Sequence, residues 1–275
     1  MMPKGLKVAV IGAGNWGMNL VRNFQALGAL GAVAEIDPNR RTKLAEEYPR
    51  IQVYSDYLDI WASKIPAVVI ATPAATHYEL AKAAILAGKD VFVEKPMTLT
   101  TSEADDLVRL AEQERRILMV GHLLLYQPAM RFIEEFLRSG RLGKVYSFHQ
   151  ERLNLGRARS VENVLWSLGV HDVAVLLHLA GKFPDRVEAT GHSVLQPSIE
   201  DDVYVHLRFP GGEKAHLHVS WLWPEKRRRL TIIGSEGMLT YDELTGNVVL
   251  HRKSIAPDLS NRHERPFRCG LPKSD

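Results

Sequence analysis

The stretch from Lys7 to Gly17, KVAVIGAGNWG, constrains the fold more than any other part of this chain. An apolar run, Val8-Ala9-Val10-Ile11, passes directly into Gly12-Ala13-Gly14-Asn15-Trp16-Gly17 and then Met18-Asn19-Leu20-Val21. That pattern predicts a buried strand, a tight glycine turn and the opening of a helix. In such a turn Gly12 permits the sharp reversal, Gly14 lets backbone approach a pyrophosphate, and Gly17 lets helix and strand pack closely. The phosphates then meet the open N–H groups at the helix N-terminus. Asn15 and Trp16 lie inside the turn and are counted with the cofactor-binding residues.

A second apolar stretch, Ala29 to Ala34, ends in Glu35-Ile36-Asp37, at the distance expected of a ribose-binding acid. A carboxylate there accepts hydrogen bonds from a 2′-hydroxyl and repels a 2′-phosphate. Glu35 therefore favours NAD over NADP, and Arg40 and Arg41, just beyond, offset part of that preference.

With 275 residues, the chain is long enough for two domains on the usual prior of ~150 residues each. Lys+Arg number 35 and Asp+Glu 32, a balance that argues against a nucleic-acid partner. One cysteine, Cys269, excludes an intramolecular disulfide and a cysteine zinc cluster. The opening Met-Met-Pro-Lys-Gly has no apolar signal segment, and no apolar run is long enough for a membrane span. A cytoplasmic protein without a membrane partner is the expectation.

Strand and helix signals alternate through the first half. Asn39 to Glu47 and Tyr57 to Ser63 read as helical, and Val53-Tyr54 as a short strand. Ala67 to Ala71, a continuous apolar run between Pro66 and Pro73, reads as a central parallel strand. Helix Glu79 to Ala87, strand Asp90 to Val93, helix Thr101 to Arg116 (capped by Thr101 or Ser102) and strand Ile117 to Val120 complete the series. The economical fold is α/β, a doubly wound parallel Rossmann sheet over residues 1–121. Over residues 122–275 the grammar changes to a helix, Ala129 to Arg138, and a stretch, Asn163 to Leu179, that carries another, among strands. The strands are Val145 to Arg152, Val203 to Phe209, Ala215 to Trp223, Arg229 to Ile233 and Met238 to Tyr241. Pro210-Gly211-Gly212 and Gly234 to Gly237 are hairpin signals. An α+β domain with a mostly antiparallel open sheet and helices on one face is expected there.

Ligands of open α/β sheets sit beyond the carboxyl ends of the strands. Three loops fall there besides the glycine turn: Ala71-Thr72-Pro73 with His77 close behind, Glu94-Lys95-Pro96, and Gly121-His122 leading to Tyr126. Lys95, between Glu94 and Pro96, is placed for desolvation beside a cationic nicotinamide, where its pKa falls toward that of an acid–base or electrostatic catalyst. A turn lysine on the surface is the bland alternative. His171, in Trp166-Ser167-Leu168-Gly169-Val170-His171-Asp172, is a candidate proton carrier, against a half-buried structural histidine. His178 reads as structural. His216 and His218 share a strand face without a third ligand, so no metal site is assigned. Arg227-Arg228-Arg229 beside Lys226 reads as a solvated charge run or as the partner of an anionic substrate group.

These pieces together resemble the glucose-fructose oxidoreductase and inositol dehydrogenase (Gfo/Idh/MocA) superfamily. The carriers are GAGNWG at 12–17, ATPAATH at 71–77, EKP at 94–96, GVHD at 169–172 and the two-domain order. The resemblance implies that Lys95 is catalytic with His171 as its partner, and that Thr72, Pro73, His77 and Glu94 join the cofactor site. A narrower likeness lies in GHLLLYQPAM at 121–130, RLNLGRAR at 152–159, ENVLWSLGVHD at 162–172 and SWLWPEKRR at 220–228. It points to the branch that oxidises C3 of UDP-linked N-acetylamino sugars. On that likeness His122, Tyr126, Arg152, Asn154, Arg159, Asp172 and Lys226 are candidate substrate residues, because a diphosphate needs fixed cationic donors.

Two departures stand out. Many members carry aspartate four residues before the histidine, where this chain has Ser167, leaving Asp172 or the substrate to orient His171. The family also continues into a further helical segment after the sheet, and a chain lacking it is expected to expose apolar surface. The resemblance implies a homodimer or homotetramer joined through the antiparallel sheet. A dehydrogenase of free sugars or inositol, and a dinucleotide-binding sensor without turnover, are the alternatives.

Overall fold

The computed structural model describes residues 5–156, 158–160, 162–255, 261–263 and 267–269. The chain divides into two compact units, Met1–Gly121 and His122–Asp275.

In the first unit β1 (Val8–Ile11), β2 (Leu30–Ala34), β3 (Gln52–Tyr54), β4 (Ala67–Ile70), β5 (Asp90–Val93) and β6 (Leu118–Val120) alternate with α1 (Gly17–Ala26), α2 (Pro38–Glu47), α3 (Leu58–Ala62), α4 (His77–Leu86) and α5 (Thr101–Gln113). The strands form a parallel sheet in the order β3-β2-β1-β4-β5-β6. The order reverses beside β1, which puts the glycine turn at the crevice where such sheets bind ligands.

Both faces of the sheet are covered, which is why the strands are apolar throughout rather than alternating. Ala9, Ile11, Val68, Ile70, Val91 and Val93 pack with Leu80, Ile85 and Leu107 of α4 and α5. Val8, Val10, Val33 and Val69 pack with Val21 and Leu44 of α1 and α2. The cap of α5 is Thr100, one residue before the expected pair. Its hydroxyl accepts from Glu103 N, and the Glu103 carboxylate accepts from Thr100 N, closing a capping box.

The second unit contains α6 (Pro128–Arg138), β7 (Val145–Leu155), α7 (Val170–Ala180), β8 (Arg186–His192), β9 (Asp202–Arg208), β10 (Lys214–Ser220), β11 (Leu222–Gly234), β12 (Gly237–Asp242), β13 (Asn247–His251), β14 (Lys253–Ile255), β15 (Asn261–His263) and β16 (Phe267–Cys269). Eight strands form one sheet in the order β16-β13-β12-β11-β7-β10-β9-β8, antiparallel except where β10 lies parallel to β7. Met130, Ile133 and Phe136 of α6 and Val175 and Leu176 of α7 pack on Phe148, Val205, Leu217, Leu230, Ile232 and Leu239 from one sheet face.

The sequence reading differs from the structure in two places here. The run 215–223 is not one strand, because β10 ends at Ser220 and β11 starts at Leu222. The buried Trp221 between them packs into the core. The helix expected within 163–179 is α7, which begins at Val170 after a π turn at Leu165–Gly169. β8 is missing from the sequence reading because all seven of its residues are exposed, and small Ala189 and Gly191 weaken its apolar alternation. Residues 270–275, on which the expectation about the C-terminal segment falls, lie outside the described residues.

A buried carboxylate pins the loop after β8. Asp201, with no exposed surface, accepts from Val194 N and Leu195 N at 2.7 Å each and from Trp221 Nε1 at 2.5 Å. Burial pushes its pKa up, but the three N–H donors outweigh this and hold it below the ordinary aspartate value. A carboxyl with a depressed folded pKa contributes stability above the ordinary carboxylate range and loses it as pH falls through the depressed value. Asp201→Asn is expected to cost about 1–3 kcal/mol at neutral pH. The gap to the parent protein should narrow on acidification, as read by urea unfolding at several pH values.

Candidate functional site

The glycine turn is built as its spacing predicts. Gly12 has a φ of +88°, which glycine adopts without strain. A Cβ on Gly17 would lie 2.0 Å from the Gly12 carbonyl oxygen, so helix and turn meet at a distance only glycine allows. On the other side, a Cβ on Gly14 would meet only Arg40 Nη1, at 3.7 Å, so backbone is open to a ligand there. No side chain caps α1, and its first turn holds no acidic residue. Its positive end is thus left for an anion.

Beside the turn is a cavity of about 770 Å³ lined by Gly12, Gly14, Asn15, Trp16, Glu35, Arg40, Thr72 and Pro73, among others. That volume falls in the range of cofactor sites, and the open glycine edge and uncapped helix fit a dinucleotide diphosphate. Glu35 is nearly fully buried, its Oε2 accepting from Ala13 N at 2.6 Å and its Oε1 from Asp37 N at 2.9 Å. It both lines the cavity and ties β2 to the glycine turn. Arg40 Nη1 stands 3.8 Å from the same carboxylate. Arg41 instead donates to the carbonyls of Glu35 and Ile36.

The two strand-end loops are joined to this turn and to each other. Glu94, buried at the end of β5, accepts from Trp16 Nε1 at 2.6 Å through Oε1 and from Lys95 N at 3.3 Å through Oε2. Glu94 and Trp16 therefore hold one another. Lys95 is half-buried directly beyond β5, and the Lys95–Pro96 peptide is cis. His77 departs from its expectation as a cofactor residue. It is 1% exposed and absent from the cavity wall. Its Nδ1 lies 2.7 Å from the Pro96 carbonyl oxygen and its Nε2 2.9 Å from that of Thr72. The ring thus stands between the two loops, and a neutral imidazole, with one N–H, donates to one of the two carbonyls.

In the second unit His171 is half-buried in the first turn of α7, after the π turn. The His122 ring lies 6.4 Å from it, edge to face. Tyr126 is exposed on the short 3-10 turn that follows His122. Arg152 and Asp172 differ from the expectation of substrate contact, since both are buried. Asp172 accepts from Gln150 Nε2 at 2.8 Å and from Arg152 Nε at 2.7 Å. Arg152 also donates to Glu243 at 2.8 Å, and Glu243 accepts from Arg228 Nη1 at 2.9 Å. The physical reason is pairing: a buried guanidinium keeps its charge only beside carboxylates, and here they are its own. Burial pushes the Asp172 carboxyl up, partly countered by Arg152 and Gln150. Burial acts against charged Arg152, but Asp172 and Glu243 outweigh it and raise its pKa. For Glu243, Arg152 and Arg228 outweigh burial and hold the carboxyl down.

Asn154 is half-buried on β7, and Arg159 and Lys226 are exposed. Arg157, in the same RLNLGRAR stretch, lies outside the described residues. Arg227 pairs with Glu225 and Glu151, so the basic run is neither uniformly solvated nor all turned to one ligand. His178 is exposed beside Glu134. His218 stacks on Tyr204 and bonds Asp202, and His216 contacts His206. Among the described residues no group of three His, Cys, Asp or Glu is placed to hold a metal ion. Sequence reasoning missed Gln150 and Glu243, and it read Arg228 only as part of the basic run. Inward alternation along β7 marks Gln150, and nothing local marks Glu243, which meets Arg152 and Arg228 from the end of β12.

The fold and the glycine-turn cavity define a dinucleotide-binding protein. The model described as "Oxidoreductase family, NAD-binding Rossmann fold" matches residues 6–122, and the "GFO/IDH/MocA C-terminal domain" matches residues 130–240. The chain belongs to the Gfo/Idh/MocA oxidoreductase family. It is 28% identical over 249 residues to UDP-N-acetylglucosamine 3-dehydrogenase of Acidithiobacillus ferrooxidans, covering 90% of this chain and 77% of that one. The solved structure of that enzyme superposes with a TM-score of 0.84, at 28% identity, over 98% of this chain and 84% of that one. Inositol 2-dehydrogenase 2 of Saccharopolyspora erythraea is 31% identical over 75% of this chain and 64% of its own length. A 2,7-anhydro-N-acetylneuraminate hydratase of Mediterraneibacter gnavus is 27% identical over 87% and 68%.

Because a side chain at position 17 would collide with backbone, Gly17→Ala must separate α1 from the turn. It is expected to weaken nicotinamide dinucleotide binding at least tenfold, about 1.4 kcal/mol. Nucleotide titration followed by intrinsic tryptophan fluorescence reads the loss.

Proposed function

We propose that this protein is an NAD-dependent dehydrogenase that oxidises the C3 hydroxyl of a UDP-linked N-acetylamino sugar to a ketone. The placement of Lys95 carries the reading: it ends β5 next to Glu94, whose carboxylate is bonded to Trp16 of the glycine turn. The bound cofactor supplies the hydride acceptor. Lys95 is the electrostatic and acid–base group at that acceptor, and His171 carries the proton of the substrate hydroxyl. Glu35 at the ribose end supports NAD over NADP. Its carboxylate is already next to Arg40 and bonded to backbone N–H groups, an arrangement that disfavours a second anion.

For the substrate, support comes from the similarity to the UDP-N-acetylglucosamine enzyme and from exposed Arg159 and Lys226, cations suited to a diphosphate. A second reading, a dehydrogenase of a free sugar or inositol, draws on the inositol dehydrogenase relative. The open face of the second sheet, which carries exposed Tyr204 and Trp223, is the proposed homodimer or homotetramer surface.

Mixing the protein with NAD and UDP-N-acetylglucosamine, or its uronate, is expected to produce reduced nicotinamide. Lys95→Ala is expected to abolish this by at least about 100-fold, the scale of a lost general acid–base group. UDP alone should raise the melting temperature. Turnover of inositol with no UDP effect would replace this reading with the second. Light scattering should show a dimer or tetramer, and monomer alone would overturn the assembly.

A further inference from the structure

Beneath His171 lies a polar cluster that the reaction as described does not use. Asp172, the next residue along the first turn of α7, has no exposed surface. It anchors a chain of alternating charge that runs through Arg152 of β7 to Glu243, just after β12, and Arg228 of β11. Three strands are thereby tied to the turn that presents His171. Gln150 holds the second oxygen of Asp172.

Between these groups is a cavity of about 10 Å³ lined by Gln150, Arg152, Arg228, Tyr241 and Glu243, among others. One water needs about that much space. Gln150 Oε1, an acceptor, and Arg228 Nε, a donor, are buried without a protein partner. A single water accepting from Arg228 and donating to Gln150 satisfies both. An apolar replacement of a buried ion pair often folds as well or better, so stability alone does not account for such a set. Its geometric effect does, because two directed bonds fix the Asp172 carboxylate and hence the backbone that carries His171.

We propose that Arg152 is a positioning residue: through Asp172 it fixes the first turn of α7 so that the His171 ring keeps one orientation, with one ordered water completing the cluster. This rests on the reading of His171 as proton carrier.

Arg152→Met and Asp172→Leu, made singly and together, test it. Arg152→Met leaves Asp172 without its cation, Asp172→Leu leaves Arg152 and Arg228 sharing Glu243 alone, and each should lower the melting temperature. The double change removes both charges, leaves Glu243 with Arg228, and should recover most of the loss. In the double variant kcat is expected to fall about 10–100-fold, the cost of slight misplacement of a reacting group. KM should stay within about twofold, the solvent deuterium isotope effect should rise, and a crystal structure should show His171 in more than one rotamer. A double variant that recovers stability with parental kcat, isotope effect and a single His171 rotamer overturns the proposal. If the double variant does not fold, Asp172→Asn, which keeps size and one acceptor, carries the same comparison. His171→Ala run in parallel separates the two readings. Full activity there overturns the proton-carrier role itself, whereas loss there without loss in the double variant overturns the positioning role alone. A high-resolution map of the parent protein should show the bridging water, and a dry cavity overturns that part.

Discussion

The cofactor end of this protein depends on one close contact, the packing of α1 against the turn that follows β1. With hydrogen in place of a side chain at Gly17, helix and turn approach to a distance at which any Cβ would collide with the Gly12 carbonyl. That approach leaves the uncapped helix end and the open edge of Gly14 on the cavity. Glu35 reinforces it from β2 by accepting from Ala13 N, and Glu94 from β5 by accepting from Trp16. Two buried carboxylates thus hold the turn from either side. Burying a carboxylate is costly unless N–H donors meet it, and the turn supplies those donors.

Lys95 inherits its place from this arrangement. The strand that brings it to the sheet end is apolar and buried, and Glu94 couples it to the glycine turn. His77 adds a second tether, with its two ring nitrogens at the carbonyls of Thr72 and Pro96. Together the two tethers determine where a flexible lysine stem begins.

The second unit solves a different problem. Its sheet has one face covered by helices, so its strands alternate, and polar residues on the covered face must find partners within the protein. Gln150 and Arg152 are inward residues of β7. Both donate to Asp172, and Arg152 also to Glu243; with Arg228 the charges cancel, while Gln150 Oε1 has no protein partner. The same physics makes the π turn at Leu165–Gly169 tolerable, since its apolar residues pack on the core while His171 follows at its end. Wide turns of this kind occur often at functional sites.

The local pattern of the sequence determined the parallel sheet, the glycine turn, the loops at strand ends and the candidates Lys95 and His171. Each of these depends on neighbours along the chain: an apolar run, a glycine spacing, a residue just after a strand. Tertiary structure alone decided that His77 braces two loops, that Arg152 and Asp172 pair with each other, and that Gln150, Arg228 and Glu243 belong to the same cluster. It also decided that β8, exposed along its whole length, is a strand. Those outcomes depend on hydrogen bonds between residues dozens of positions apart. A hydrogen bond is directional and short, so no periodicity along one strand reveals what a second strand will bring to meet it.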